Sequence, residues 1–258
     1  MFLYLLDFLS HYNSNFLVFE YITLRAILSI ITALFISLIL GPYIIQKFSI
    51  NNLSEVIRDD GPISHFNKSG TPTMGGLLIL SSLIITTLLW ANLENKYILY
   101  LIFITLSFGV IGFFDDYKKL KGNKNGMSAK SKIIFQIIVA GILSYVMFIN
   151  VDTYQEQQFI IPFFKHIVFD LGIFFIPLSM LVIISTSNAV NLTDGLDGLA
   201  IMPIVLVSGA LGIFAYLSGN INFSDYLLIP YIKDSGEITI FIGAIVGSGL
   251  GFLWFNTY

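Results

Sequence analysis

The feature that most constrains this chain is a series of continuous apolar runs, each roughly 18–22 residues long, which is the length a helix needs to cross the ~30 Å hydrocarbon core of a bilayer. The runs lack the alternation of apolar and polar residues that is typical of a membrane barrel strand. Inside lipid, a helix satisfies every backbone polar group within its own segment, so the runs are predicted to be helices. The composition agrees, because 56% of residues are hydrophobic, 11% are charged and the mean hydropathy is +0.84. A water-soluble fold is excluded, since a typical soluble domain has about 25% charged residues.

The runs predict an all-α, polytopic membrane protein with seven spans, at about 24–45, 74–91, 97–114, 133–150, 167–187, 199–217 and 238–255. No internal repeat or low-complexity linker divides the sequence, so residues 1–258 are predicted to form one transmembrane domain. The first span is predicted to end near Gly41-Pro42. Pro177 is predicted to kink the fifth span unless neighbouring helices satisfy the carbonyl that it frees, and Asp170 is predicted to lie near that span's outer end.

The distribution of positive charge predicts the orientation. If the N-terminus is outside, the cytoplasmic loops contain nine basic residues: Lys47, Arg58, Lys68, Lys118, Lys119, Lys121, Lys124, Lys130 and Lys132. The opposite side then contains four: Arg25, Lys96, Lys165 and Lys233. Because cytoplasmic loops are enriched in lysine and arginine, we expect an N-out, C-in topology. Three polar segments then lie together on the cytoplasmic side.

The first polar segment runs from Lys68 to Gly76 with the sequence Lys-Ser-Gly-Thr-Pro-Thr-Met-Gly-Gly. A lysine and hydroxyl groups precede Gly75 and Gly76, and such a glycine pair lets the backbone approach a ligand closely. Glycines also allow membrane helices to pack closely. On the local sequence alone, ligand binding and helix packing are equally favoured.

The second segment, Asp115-Asp116-Tyr117-Lys118-Lys119, directly follows the third span. Two adjacent carboxylates repel each other, and the carboxyl end of a helix adds negative potential. A bound Mg²⁺ would relieve this repulsion, because it takes one or two carboxylates and shares its remaining positions with water and phosphates. The neighbouring lysines could balance the pair equally well.

The third segment runs from Asn188 to Gly198. Asn191, Asp194 and Asp197 are spaced three apart and share a face if the segment is helical. Gly195 leaves backbone N–H groups accessible near a helix N-terminus, where anions are favoured. The alternative is that Asp197 caps the sixth span, which accounts for one aspartate and leaves the other polar residues unexplained. A functional role is therefore favoured here.

These residues closely resemble phospho-N-acetylmuramoyl-pentapeptide-transferase, within the polyprenyl-phosphate sugar-1-phosphate transferases. The resemblance is carried by residues 19–26, 70–76, 115–117, 188–200 and 251–256. It implies a ten-helix fold, usually dimeric, with a Mg²⁺-dependent site in a cytoplasmic cleft of the bacterial inner membrane. It also implies the reaction, in which UDP-N-acetylmuramoyl-pentapeptide and undecaprenyl phosphate give the first lipid intermediate of peptidoglycan and UMP. The implied partners are these substrates, the lipid bilayer and a second copy of the chain, with no nucleic acid.

The resemblance also implies roles for individual residues. The catalytic residues are expected to be Asp115, Asp116 and Asp194, and the sequence leaves open which carboxylate acts as base or nucleophile. The metal is expected to contact Asn191 and Asp116. The nucleoside side of the substrate is expected to be lined by Lys68, Thr73, Gly195, Leu196, Asp197 and Asn256.

The chain departs from the family at its end, because the sequence stops at Asn256-Thr257-Tyr258. Family members continue there into a Phe-Met-Gly-Asp segment, whose aspartate is a metal ligand, and into a His-rich loop and further helices. The chain is therefore expected to be a C-terminally truncated member. Two alternatives remain: a transferase that passes N-acetylglucosamine phosphate to the same lipid, and an inactive remnant that retains the nucleotide pocket.

Overall fold

The computed structural model describes residues 2–50, 75–120, 126–161, 164, 167–193 and 199–256. The prediction of an all-α polytopic membrane protein is confirmed. The helices of the described part are α1 (Phe2–Ser10), α2 (Ile22–Ile50), α3 (Gly75–Trp90), α4 (Lys96–Leu120), α5 (Ala129–Ile149), α6 (Phe175–Thr193), α7 (Ile201–Ser218), α8 (Ile221–Leu227) and α9 (Ile238–Asn256). Short 3-10 helices cover Ser14–Glu20, Tyr154–Gln157, Gly172–Phe174 and Ser235–Glu237.

Every predicted span has a helix at its position. Within the described residues, six segments are long and apolar enough to cross a membrane: Ile22–Lys47, Lys96–Lys119, Ala129–Ile149, Gly172–Thr193, Ile201–Ser218 and Ser235–Asn256. The predicted second span corresponds to α3, an apolar helix of 16 residues. Large apolar side chains along these helices point outward, as expected for surfaces that face lipid.

The predicted fifth span, 167–187, is wrong at both ends. Strand β2 (Val168–Asp170) pairs antiparallel with β1 (Gln158–Ile160), and Phe159 lies opposite Phe169. Apolar runs that contain aromatic and β-branched residues suit a short strand as well as a helix, which is why the pattern was ambiguous here. Asp170 therefore lies in a strand. At the other end α6 continues to Thr193, so Asn188 and Asn191 belong to a helix and not to a loop.

The two prolines of the predicted spans lie at different places in their helices. Pro177 is the third residue of α6, and the N–H groups of the first turn have no partner within a helix, so proline costs no hydrogen bond there. Pro42 lies near the end of the membrane-length segment Ile22–Lys47, as predicted, and α2 itself continues to Ile50. Proline is tolerated inside membrane helices when neighbouring groups satisfy the freed carbonyl.

The packing of α2 against α9 depends on three glycines spaced four residues apart: Gly243, Gly247 and Gly251. A Cβ at Gly247 would stand 2.2 Å from the carbonyl oxygen of Ile30, and a Cβ at Gly251 would stand 2.3 Å from Ser37 Cβ. Because residues four apart share a helix face, the three glycines form a groove along α9 into which α2 packs.

Small side chains also let the helices exchange hydrogen bonds in the core. Ser29 Oγ donates to the carbonyl oxygen of Ile240 at 2.8 Å, which links α2 to α9. Ser37 Oγ donates to Ser82 Oγ at 3.0 Å, which links α2 to α3. The core around these bonds consists of Ala26, Ala33, Leu83, Ala91, Ile98, Ile240, Phe241 and Ala244.

Among the described residues, polar groups are found at both ends of the bundle. At the end where α4 begins, Lys96 Nζ lies 2.8 Å from Asp152 Oδ2 and 3.0 Å from Glu156 Oε2. The hydrogen bond from Lys96 holds the pKa of Asp152 below its usual range. Asn95 Nδ2 donates to the carbonyl oxygen of Asp234 at 2.9 Å, which brings the loop before α9 to the same end. The acidic pair lies at the opposite end of α4.

Candidate active site

The acidic pair lies near the carboxyl end of α4, and its two members have different surroundings. Asp115 Oδ1 accepts a hydrogen bond from the backbone N–H of Met127 at 2.7 Å. Asp115 Oδ2 lies 3.0 Å from Lys119 Nζ. Its side chain is 13% exposed. The carboxylate therefore joins the end of α4 to the chain that leads into α5.

Asp116 points more towards solvent, with a side chain that is 44% exposed. Its Oδ1 accepts from Lys119 Nζ at 3.1 Å, so this ammonium bridges both carboxylates. Such a bridge is the lysine-balanced arrangement that the sequence left open. The mutual repulsion of the pair is thus relieved by the protein itself, and repulsion alone does not call for a metal ion.

A cleft of about 310 Å³ opens beside the acidic pair. Six helices and the residue before α7 line it, through Gly76, Ile79, Phe108, Ile111, Gly112, Lys132, Gln136, Ser187, Val190, Asn191, Ala200, Ile201, Ile204 and Phe252. Its wall is apolar except for a few polar groups from α5 and α6, the usual composition of a small-molecule site. The cleft therefore brings Lys132, Gln136 and Asn191 into one place.

Asn191 reaches the cleft because α6 continues past the predicted end of its span. One turn earlier, Asn188 Nδ2 donates to Gln136 Oε1 at 2.8 Å and to the carbonyl oxygen of Ile184 at 2.8 Å. Gln136 is 2% exposed. This polar bond between α5 and α6 holds the last turns of α6 against the cleft.

Other expected site residues stand one helical turn beyond the lining residues. Asp115 follows Ile111 by four positions and Asp116 follows Gly112 by four, so each pair shares a face of α4. Asn256 follows Phe252 by four positions at the end of α9. Because one helical turn spans about 5 Å, we infer that Asp115, Asp116 and Asn256 lie near the rim of the cleft, whereas Asn191 lines it.

Six expected site residues lie outside the described residues: Lys68, Thr73, Asp194, Gly195, Leu196 and Asp197. Their flanking residues do border the cleft, because Gly76 and Ala200 both line it.

The sequence interpretation did not include Lys132 or Gln136 among the site residues. Lys132 lies close enough to Asp115 for their charges to attract. The sequence did contain a signal for Gln136. A lone glutamine in an apolar run of membrane length costs free energy unless it has a polar partner, so a polar residue at such a position often has a function. For Lys132, a basic residue just before a span resembles any other positive residue of a cytoplasmic loop, so the sequence contained no comparable signal.

The ligands that the expected Mg²⁺ would need can be compared with the side chains in the described part of the chain. There, no group of three or more acidic or histidine side chains could hold a metal ion. Mg²⁺ commonly uses one or two protein carboxylates together with substrate phosphates, so an exposed carboxylate at the rim and a carboxamide in the cleft are suitable donors. The Asp116 carboxylate and the Asn191 carboxamide are donors of the kind that Mg²⁺ accepts.

Two family models match the chain. The model described as glycosyl transferase family 4 matches residues 98–258, which is more than half of the sequence and includes nearly all of α4 and every later helix. The model described as phospho-N-acetylmuramoyl-pentapeptide-transferase signature 1 matches residues 68–80. The second match covers the first polar segment and the beginning of α3, and within it Gly76 and Ile79 of α3 line the cleft.

Proposed function

Because the chain belongs to glycosyl transferase family 4, in its phospho-N-acetylmuramoyl-pentapeptide-transferase group, we propose that it forms the first lipid intermediate of peptidoglycan. The substrates in this proposal are UDP-N-acetylmuramoyl-pentapeptide and undecaprenyl phosphate. The observation that carries it is the cleft that contains Lys132 and Asn191 and has the acidic pair at its rim. A phospho-sugar transferase needs such a combination of cationic, neutral polar and acidic groups.

The reaction is a phosphoryl transfer between two phosphates. An oxygen of undecaprenyl phosphate attacks the phosphorus that bears the sugar, and the bond between the two phosphates of the UDP moiety breaks. UMP leaves, and the lipid carries a diphosphate joined to the sugar. Because several negative charges meet, catalysis depends mainly on positioning and on neutralising charge.

The described residues can supply much of that neutralisation. The Lys132 ammonium in the cleft is suited to phosphate oxygens. The Asn191 carboxamide can donate to or accept from a polar substrate group. We further propose that Asp116 and Asn191 hold Mg²⁺. When bound, the ion would polarise the diphosphate and stabilise the charge on the departing UMP.

The position of the cleft suits a lipid substrate. It lies among the ends of membrane-length helices, so an isoprenoid tail could remain in the bilayer while its phosphate enters the polar part. UDP-sugars are water-soluble and require an aqueous entrance at the same end. The proposal therefore places this end at the cytoplasmic face of the bacterial inner membrane.

The direct test is transfer in lipid nanodiscs by the purified 258-residue chain and, beside it, by a form extended with the C-terminal segment that family members have. Undecaprenyl phosphate and Mg²⁺ are supplied with either UDP-N-acetylmuramoyl-pentapeptide or UDP-N-acetylglucosamine, and UMP and lipid-linked product are measured. We expect product from the extended form with the first donor, and none after Mg²⁺ is removed with a chelator. Product with the second donor alone would assign the chain to the N-acetylglucosamine branch. No product from the extended form with either donor would contradict transferase activity.

A matched pair of variants tests the cleft itself. Lys132→Met removes the ammonium in the cleft, whereas Lys130→Met removes an exposed one from the same helix. We expect Lys132→Met to lower kcat/KM by about 10²-fold, the scale of losing one preorganised electrostatic group, and Lys130→Met to leave it nearly unchanged. Equal effects of the two variants would show that the cleft does not bind the phosphates.

A further inference from the structure

A second pocket, of about 210 Å³, lies at the end of the bundle away from the cleft. It is enclosed by α1, the 3-10 helix Ser14–Glu20, the beginning of α2 and the loop that follows α3. Apolar side chains from α1 and the 3-10 helix form one part of its wall: Leu3, Leu6, Phe16 and Phe19. Glu20, Arg25 and Glu94 also line it. The pocket therefore combines an apolar wall with charged residues that the transferase proposal leaves without a role.

Aromatic contacts hold the wall of this pocket in place. The centre of the Trp90 ring, at the end of α3, lies 5.4 Å from that of Phe2, edge to face, and 6.3 Å from that of Phe19, stacked. Such aromatic pairs add stability beyond the area that they bury. Leu6 is 4% exposed, so a buried side chain anchors α1 on the bundle. The pocket is therefore part of the packed end of the bundle.

The pocket lies at the level expected for lipid head groups. Trp90 is the last residue of α3, and Tyr21 is the last residue before α2. Tyr4 and Tyr21 are exposed, as are the apolar side chains of Leu5 and Phe8 on α1. Tryptophan and tyrosine are enriched where a bilayer meets water, and helices with exposed aromatic and leucine side chains lie in that plane. The occupant is therefore expected to be a molecule of the bilayer surface.

The carboxylates of the pocket are suited to a cation. Glu20 and Glu94 are both exposed, and neither forms an ion pair with a basic side chain in the part of the chain that the structure describes. The hydroxyl of Tyr4 donates to Glu94 Oε1 at 3.3 Å, which places an aromatic ring next to that carboxylate. Aromatic rings attract ammonium groups through their negative faces. A primary ammonium can donate N–H groups to a carboxylate while it lies against such a ring.

Arg25 contributes a hydrogen-bond donor that needs an acceptor. The residue is 4% exposed, and its Nη1 and Nη2 both donate to the carboxylate of Glu237. Its Nε is buried and has no hydrogen-bond partner among the described residues. A buried donor without a partner costs free energy, which an acceptor oxygen of a bound molecule would recover. The phosphate and ester oxygens of a phospholipid are acceptors of this kind.

We propose that this pocket binds the head group of a phospholipid that carries a primary ammonium, namely phosphatidylethanolamine. The ammonium lies against Glu20, Glu94 and the ring of Tyr4. An oxygen of the phosphate or of a glycerol ester accepts from Arg25 Nε, and the acyl chains follow the apolar wall into the bilayer. The site is separate from the cleft, so this inference goes beyond the proposed transferase activity and does not depend on it.

The first experiment detects contact between the lipid amine and the carboxylates. The chain is placed in nanodiscs of dioleoylphosphatidylethanolamine and phosphatidylglycerol and treated with a water-soluble carbodiimide, which joins a carboxylate to an amine only where the two touch. Fragment-ion mass spectrometry then locates the lipid amide. We expect about five times more of it on Glu20 or Glu94 than on Asp225, an exposed carboxylate of α8 at the same end, which is the scale of one favourable exposed ion pair. Equal labelling of all three residues would overturn the proposal.

Two soluble competitors in the same experiment identify which feature of the lipid is recognised. Free ethanolamine has the ammonium without the phosphate and the acyl chains, and trilysine represents a basic segment of a protein partner. We expect the lipid amide to persist when either competitor is present in an amount equal to the lipid. Suppression by ethanolamine would show that the ammonium alone is bound, and suppression by trilysine would make a basic peptide the occupant. Either result would overturn the assignment to a lipid.

The second experiment measures affinity by native mass spectrometry of the chain in micelles to which either lipid is added. The double variant Glu20→Gln, Glu94→Gln should weaken the binding of the first phosphatidylethanolamine about five- to tenfold, because two charge pairs are lost, and should leave phosphatidylglycerol unchanged. Asp225→Asn is the matched control and should change neither.

The single variant Glu20→Gln separates loss of binding from loss of folding. The Glu20 side chain makes no hydrogen bond or ion pair with the described residues, so in micelles without phospholipid the variant should unfold like the unaltered chain. With phosphatidylethanolamine added, it should still bind that lipid more weakly. Equal weakening for both lipids, or unchanged affinity for phosphatidylethanolamine in the double variant, would overturn the proposal.

Discussion

Arg25 and Glu237 lie 212 positions apart in the sequence and form a buried ion pair, with Arg25 Nη1 3.1 Å from Glu237 Oε2. Their side chains are 5% and 11% exposed. The guanidinium also donates to the carbonyl oxygens of Trp90 and Glu20, and Glu237 accepts from the backbone N–H of Asn92 at 3.1 Å. The pair therefore joins the beginnings of α2 and α9 to the end of α3, at the end of the bundle away from the cleft.

Removing one partner of this pair should destabilise the protein strongly. Glu237→Gln leaves the buried Arg25 guanidinium without its counter-charge, and such a change typically costs about 3–5 kcal/mol. The free energy of unfolding can be measured by denaturing-detergent titration in mixed micelles. Glu94→Gln is the matched control, because Glu94 is exposed at the same end, and its effect should stay within about 0.5 kcal/mol. Similar effects of the two variants would show that the pair contributes little.

The glycine groove of α9 gives a second prediction about stability. A Cβ at Gly247 would collide with the Ile30 carbonyl, whereas nothing lies within 4 Å of a Cβ at Gly209 on α7. We expect Gly247→Ala to lower the free energy of unfolding by about 1–3 kcal/mol, the usual cost of overpacking, and Gly209→Ala to have no such cost. The same titration compares the two variants. If both are equally stable, the close approach of α2 and α9 does not depend on the glycine.

Much of the fold could be predicted because the hydrophobic length of a span is a property of sequence alone. Each of the seven apolar runs became a helix. The errors occurred where length and hydrophobicity were compatible with more than one structure, as at Val168–Asp170, which is strand, and at Asn188–Thr193, where the helix continues through polar residues. The three-glycine groove was visible in the sequence as Gly243, Gly247 and Gly251, but the identity of its partner helix depends on tertiary packing.

The site was predictable in part for a different reason. Asp115, Asp116 and Asn191 were selected as candidates because polar residues crowd at the ends of apolar runs, which is unusual in a membrane protein. The different surroundings of the two aspartates depend on a hydrogen bond from Met127, twelve residues after Asp115, and on the φ angle of Gly126. Neither can be read from the order of residues in a loop.

The predicted orientation can be tested directly, since the chain contains no cysteine and every introduced one is unique. Single cysteines at Lys121 and Thr193 should react with a membrane-impermeant maleimide only after the cytoplasmic side is opened. Cysteines at Lys96 and Lys233 should react in intact cells, as the positive-inside rule predicts. Labelling of Thr193 from outside would place the cleft on the wrong side for a cytoplasmic UDP-sugar and would contradict the single-site arrangement.

The bond between Gln136 and Asn188 leads to a prediction in which the two partners are not equivalent. Asn188 Nδ2 also donates to the carbonyl oxygen of Ile184, so Gln136→Leu leaves this amide with a partner. Asn188→Leu removes a donor from Gln136 Oε1, a group in a residue that is only 2% exposed, and an unsatisfied buried acceptor costs about 1–3 kcal/mol. We therefore expect Asn188→Leu to destabilise the protein more than Gln136→Leu. The double variant should recover part of the loss, with a coupling energy of about 0.6 kcal/mol and at most about 1.7, the range found for hydrogen bonds between membrane helices. All four proteins, the unaltered chain, the two single variants and the double variant, are compared by unfolding titration in the same micelles. A larger loss of stability from Gln136→Leu than from Asn188→Leu would show that the bond does not hold α6 against the cleft. Additive losses in the double variant would show the same.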